Sequence, residues 1–168
     1  MIDKGSLPCD SVEFASLSKE LLHAGKTLRF TARGSSMAPL IRDGDRLVVK
    51  PVKESIFYVG DVVLFEVETE RLALHRVIEV FETSTAHSYL LQGDQVNHVD
   101  GTFDQEKILG RLVSLERNGK IIQLHEFGMK MLSRLVVGQS RGNFKGTDFQ
   151  KKTVRILRKI PYIKKYLI

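Results

Sequence analysis

Three short segments of this 168-residue chain carry side chains suited to one piece of chemistry. The first is Gly34-Ser35-Ser36-Met37-Ala38-Pro39-Leu40-Ile41-Arg42-Asp43-Gly44-Asp45. A small polar turn follows an apolar stretch there and presents a serine. Such a serine can face a substrate while its own N–H points at a developing oxyanion. Alone, the segment is equally an ordinary Gly/Ser turn with capping hydroxyls. The second is Leu74-His75-Arg76-Val77-Ile78, within a β-type run. With a period of two, His75 shares a face with Ala73 and Val77. Histidine is the side chain best suited to take a hydroxyl proton near neutral pH, although a lone one is more often structural. The third is Gln92-Gly93-Asp94-Gln95-Val96-Asn97-His98-Val99-Asp100-Gly101, which offers two carboxylates. A carboxylate can orient a catalytic histidine and stabilise its imidazolium. The Asp, Gly and Asn content fits a plain turn as well.

Taken together, in this order and spacing, the segments resemble the signal peptidase I superfamily of serine endopeptidases. Ser36-Met37-Ala38-Pro39 with Gly44-Asp45 looks like that family's nucleophile box. Gly60-Asp61-Val62-Val63-Leu64-Phe65 looks like its Gly-Asp strand, His75-Arg76-Val77-Ile78 like its base box, and Gly93-Asp94 with Asp100 like its last box. The likeness covers about residues 33–101 and continues loosely to about 117. Bacterial signal peptidases and self-cleaving SOS repressors use lysine as base; His75 is similar instead to the archaeal and endoplasmic-reticulum branch. The resemblance implies Ser36 as nucleophile, His75 as general base, and Asp94 and Asp100 as the acidic positions. Asp100 is favoured as the partner of His75, and Asp94 as the organiser of its loop. Gly34, Ser35, Met37, Ala73 and Val77 then surround the oxyanion and substrate positions. No metal and no cofactor are implied. Two features depart from the family: Gly34 replaces the usual hydroxyl residue two places before the nucleophile, and no spanning helix precedes it.

The elements that must position these residues are mostly strands. Asp10 and Glu13 form a capping box, and Phe14, Leu17, Leu21 and Leu22 mark one stripe of a helix that Gly25 follows. Runs over 27–32, 46–50, 61–67, 71–81, 88–92, 109–116 and 120–125 are rich in Val, Ile, Leu and Phe and read as strands. Asn118-Gly119 between the last two is a strong hairpin signal. The expectation is a mainly β, barrel-type catalytic domain like that of signal peptidases and SOS repressors, over residues 27–125. An N-terminal helix (1–26) precedes it and a basic helical tail (126–168) follows. That tail reads as a helix over 126–137, a linker over 139–147 and a second helix ended by Pro161.

Composition is that of an ordinary globular protein, with 42% hydrophobic and 27% charged residues. A single cysteine, Cys9, excludes an internal disulfide and a multi-Cys zinc module, and it reads as inert. His87 and His98 match no zinc-ligand spacing, and Met129 and Met131 read as helix packing. The net charge of +6 is uneven: residues 126–168 carry 11 Lys+Arg against 2 Asp+Glu, the first 125 carry 15 against 18. Within 151–168, seven basic residues alternate with apolar and aromatic ones, as an interfacial segment requires. An anionic membrane surface is the expected contact of the tail, docking on the protein's own body being the alternative. Nucleic acid is not the expected partner. With neither a secretory signal nor a span read from the sequence, a cytoplasmic or peripheral membrane location is expected. The expected substrate is a precursor peptide or protein cut at a signal or leader. A non-catalytic peptide-binding module on the same scaffold is the alternative. A self-cleaving repressor fits less well, since position 75 is not lysine and 1–26 is too short for a helix-turn-helix.

Overall fold

A computed structural model of the chain describes residues 11–52, 56–84, 86–96 and 98–124. Asp10, Cys9, Met129, Met131, the linker and both stretches of the basic tail lie outside the described residues.

Helix α1 (Ser11–His23) opens the described chain. Its inward face is Ala15, Ser18 and Leu22, at the i, i+3, i+7 spacing of one helical side. The expected stripe is thus turned slightly: Leu22 is buried, Phe14 and Leu21 are partly buried, and Leu17 is exposed. Two small residues, Ala15 and Ser18, let the helix backbone lie close on the sheet. The end is closed by two nested bonds, from Gly25 N–H to Leu22 O (3.0 Å) and Lys26 N–H to Leu21 O (2.9 Å).

Eight strands follow: β1 (Leu28–Thr31), β2 (Arg46–Pro51), β3 (Val62–Glu68), β4 (Arg71–Glu82), β5 (His87–Gln92), β6 (Gly101–Asp104), β7 (Ile108–Arg117) and β8 (Lys120–Gln123). All pair antiparallel in one sheet of order β1-β2-β7-β3-β4-β5-β6, with β8 added on β7. The protein is mainly β, as its apolar runs require. The barrel-type expectation is modified in one respect: β1 and β6 are the two ends of an open ladder. β6 and the short 3-10 turn Gln105–Lys107 after it had no sequence counterpart. Four residues, Gly-Thr-Phe-Asp, are too few for an alternating pattern to be read. The Asn118-Gly119 turn joins β7 and β8, pairing Arg117 with Lys120.

β7 is the seam of the sheet. One of its edges pairs with β2; the other is divided between β3 in its first half and β8 in its second. It therefore joins the β1-β2 pair to the β3-β4-β5-β6 group. β3 is buried on both faces, which explains its unbroken Val62-Val63-Leu64-Phe65 run. Val62 and Leu64 enter one core with Leu22, Met37, Ile41, Leu47, Val49 and Leu115. Val63 and Phe65 enter a second with Phe57, Val77, Tyr89 and Leu91. Glu66 near the end of β3 pairs with Lys19 of α1, tying the helix to the sheet.

Candidate active site

Residues 32–45 form a closed loop between β1 and β2. Its base is zipped by Ala32 N–H to Asp45 O (2.8 Å) and Gly44 N–H to Ala32 O (3.0 Å), so the ends lie together and the middle is free to project. Within it, Ala38 N–H bonds Ser35 O and Ile41 N–H bonds Met37 O, both at 2.9 Å. The Ala38–Pro39 peptide is cis. Met37 and Ile41 are buried in the first core and anchor the loop. Gly34 has a φ of +86°, in the region that favours glycine, and its N–H donates to Asp43 Oδ1 at 2.9 Å.

β2 and β4 are separated in the ladder by β7 and β3, a lateral distance of roughly 14 Å in a flat sheet. The projecting loop nevertheless brings Ser36 to His75. Ser36 Oγ lies 3.2 Å from His75 Nε2, and His75 Nδ1 lies 2.6 Å from Asp100 Oδ2. The histidine and aspartate side chains are 13% and 15% exposed, so the relay is shielded yet open to solvent at one end. His75 stands opposite the fully buried Val63 of β3. The Phe65 ring lies 6.0 Å from the imidazole and is itself packed edge-on by Phe103 of β6 at 4.7 Å. Asp100, just before β6, is fixed by its N–H to Leu91 O at 2.9 Å.

Gly93 fills the space between the two halves of the site. A Cβ there would stand 2.9 Å from Ser36 O and 3.1 Å from His75 Nε2, closer than side chains pack. Only glycine leaves room for Ser36 to reach the histidine. The following turn bonds back to the serine, Gln95 N–H to Ser36 O at 2.8 Å. The Ser36 N–H has no acceptor among the described residues.

Two arginines hold the loops. Arg76 grips Asp94 with two bonds, Nε to Oδ1 (2.6 Å) and Nη2 to Oδ2 (2.5 Å), and donates from Nη1 to Gly60 O (2.8 Å). The Gly60-Asp61 turn is laced to β4 by Gly60 N–H to Val77 O and Val77 N–H to Asp61 O, each 2.8 Å. Arg117, at the end of β7, grips Asp45 in the same forked way, Nε to Oδ1 (2.8 Å) and Nη2 to Oδ2 (2.6 Å), and reaches Leu40 O at 2.8 Å.

Against the sequence reading, the structure brings Ser36, His75 and Asp100 together, with Gly34, Ser35 and Ala73 nearby in the chain. Asp94, favoured as the organiser of its loop, is turned to Arg76, from which both its oxygens accept, and its side chain is 2% exposed. The carboxylate within reach of the imidazole is that of Asp100. Met37 and Val77 are corrected. Their side chains are core anchors, 4% and 0% exposed, and cannot line a substrate groove. His87 is placed beside Glu82, 3.4 Å from its Oε1, and His98 is exposed. Sequence reasoning assigned no role to Arg76, Phe103 or Arg117. Arg76 lay inside a box already singled out. Phe103 and Arg117 carried no local signal, since Arg117 meets its partner across 72 residues.

Among the described residues, no helix is long and apolar enough to cross a membrane. No curated protein matches the chain. A family model described as Peptidase S24-like matches residues 5–113, taking in α1, all three boxes and most of β7, and the chain belongs to the Peptidase S24-like family.

Proposed function

We propose that the chain is a serine endopeptidase of the signal peptidase type, with Ser36 as nucleophile, His75 as general base and Asp100 as its orienting carboxylate. The observation that carries this reading is the unbroken path from Ser36 Oγ through both imidazole nitrogens to Asp100. In it, the Ser36 hydroxyl donates to His75 Nε2, and His75 Nδ1–H donates to Asp100. As Oγ bonds the scissile carbonyl carbon, its proton passes to Nε2 and then to the leaving amine. Water, deprotonated by the same nitrogen, breaks the ester and restores the serine. The unused N–H of Ser36 is the oxyanion donor this reading requires. The substrate is an extended segment of a precursor with small residues one and three positions before the cut, as the resemblance implies. Residues 27–125 form the peptidase unit. The tail over 151–168 holds the protein at an anionic membrane surface, its seven basic residues each worth about 1 kcal/mol there.

Gly34 favours one second reading, a peptide-binding module without catalysis, because a side-chain hydroxyl donor is lacking at that position. A fluorophosphonate reagent separates the two. The peptidase reading expects covalent labelling of Ser36, lost in Ser36→Ala and in His75→Ala while the circular dichroism of both variants stays that of the wild type. An unlabelled wild-type protein sinks the peptidase and leaves the module. For the tail, co-sedimentation with anionic vesicles at low salt is expected for the full chain and not for residues 1–147.

A further inference from the structure

We infer that Arg117 is a positioning residue for the nucleophile, locking the Ser36 loop from a strand that contributes nothing else to the site. The inference rests on the peptidase reading for its catalytic consequence, but its structural content stands on the loop's own bonds. Asp45 is 3% exposed, and its carboxylate is the hub of the loop. Oδ2 accepts from Arg42 N–H at 2.8 Å as well as from Arg117, and Oδ1 accepts from Arg117 Nε. The same guanidinium takes Leu40 O, the carbonyl one residue past Pro39. Arg117 thus reaches the loop at two points, 40 and 45. The other ties are short-range bonds within 32–45, the buried side chains of Met37 and Ile41, and, at Ser36 itself, the Gln95 N–H and the His75 imidazole. Apolar anchors hold depth but tolerate rotation and sliding. A planar fork on a carboxylate fixes direction, which lysine cannot reproduce. The distance from Ser36 Oγ to His75 Nε2, already 3.2 Å, depends on that direction.

The test compares Arg117→Gln, Arg117→Lys and Arg117→Ala in the full chain with a control that breaks an ion pair elsewhere, Lys19→Met. Amide hydrogen exchange is read first because it needs no activity. In Arg117→Gln, the bonded amides of 34–45 are expected to exchange about tenfold faster, while those of Val96 and Asp100, whose acceptors lie outside that loop, keep their wild-type rates. Fluorophosphonate labelling of Ser36 is then expected to slow by about 100-fold in Arg117→Gln, since a misplacement of about 1 Å has that effect, and by less in Arg117→Lys. Guanidinium ion at low millimolar concentration is expected to recover labelling in Arg117→Ala, while urea at equal concentration does not. Wild-type exchange over 34–45 in Arg117→Gln overturns the inference, as does a slowing of labelling matched by Lys19→Met. A wild-type protein that exchanges as expected but is never labelled overturns the peptidase reading instead and leaves the exchange result to decide the lock.

Discussion

The two arginine clamps are built alike and placed differently. Each pairs a guanidinium fork with one carboxylate and adds one backbone carbonyl: Arg76 with Asp94 and Gly60 O, Arg117 with Asp45 and Leu40 O. The first serves the loop that carries Asp100, the second the loop that carries Ser36. The Arg76 pair is 3% and 2% exposed, the Arg117 pair 13% and 3%. The remaining partners decide what each loop loses with its clamp. A carboxylate stranded in the interior is unstable; Asp45 keeps the Arg42 N–H when Arg117 is lost, whereas Asp94 loses both bonds described for it when Arg76 is lost. Damage to the Arg76 clamp therefore threatens the fold, and damage to the Arg117 clamp the aim of a loop in a fold that survives.

The largest expected effect separates the two aspartates. Asp100→Asn is expected to lower turnover by about 10⁴-fold, because an amide no longer holds the imidazole in the required tautomer, and to leave the melting temperature nearly unchanged. Equal turnover in the variant and the wild type removes Asp100 from the relay. Asp94→Asn is expected to act the other way, costing about 3–5 kcal/mol of stability in urea unfolding by leaving Arg76 without its counter-charge. Arg76→Met should cost a similar amount and more than Arg117→Met. The reverse order in urea midpoints breaks the comparison of the clamps.

Gly34→Ser is a smaller test of the nucleophile loop. It restores the hydroxyl usual in signal peptidases, and a Cβ there meets open space. The φ of +86° nevertheless strains any L side chain, by about 1–2 kcal/mol. Lower stability with no gain in turnover is expected; faster turnover shows that the backbone accepts the donor. The smallest effect concerns Glu66. Its hydrogen bond to Lys19, with help from the Glu70 N–H and against a partial desolvation, holds its carboxyl below the usual value of 4.5. A carboxyl lowered on folding stabilises the fold above its unfolded pKa, and that share is lost as pH falls through the folded pKa. Glu66→Gln is expected to remove a pH-dependent contribution below about 1 kcal/mol, visible as convergence of the two melting curves under acid.

How far the site was legible follows from range in sequence. Ser36, His75 and Asp100 were singled out because each sits in a short segment with its own composition, and the Val62–Phe65 run announced a strand. The hairpin at Asn118-Gly119 was local chemistry and was readable. Asp100 was favoured over Asp94, and the neighbouring Arg76, turned inward on β4, is what takes up Asp94. What failed was what depends on distant partners. Met37 follows Ser36 and Val77 lies two places after His75, yet their burial is set by cores whose buried members are spread over residues 22–115 and 57–108. Arg117 looked like a charged residue before a turn, and nothing near it points to a carboxylate 72 positions away. β6 was too short to show a pattern and exists because β5 offers it an edge.

The place of β7 in the sheet bears on how the protein is made. Synthesis runs from Ser36 toward Arg117, so the serine leaves the ribosome long before the strand that joins its half of the sheet to the other. A nascent chain that has emerged through β6 already holds the nucleophile, the histidine and Asp100, but as two separate β-units with no shared ladder. The ladder that joins the serine's half of the sheet to the histidine's runs through residues 108–117, which pair with both β2 and β3. Contacts spaced this far apart form slowly and late. On the peptidase reading the serine is consequently unarmed for most of its own translation, and cleavage is withheld until residues 108–117 are in place.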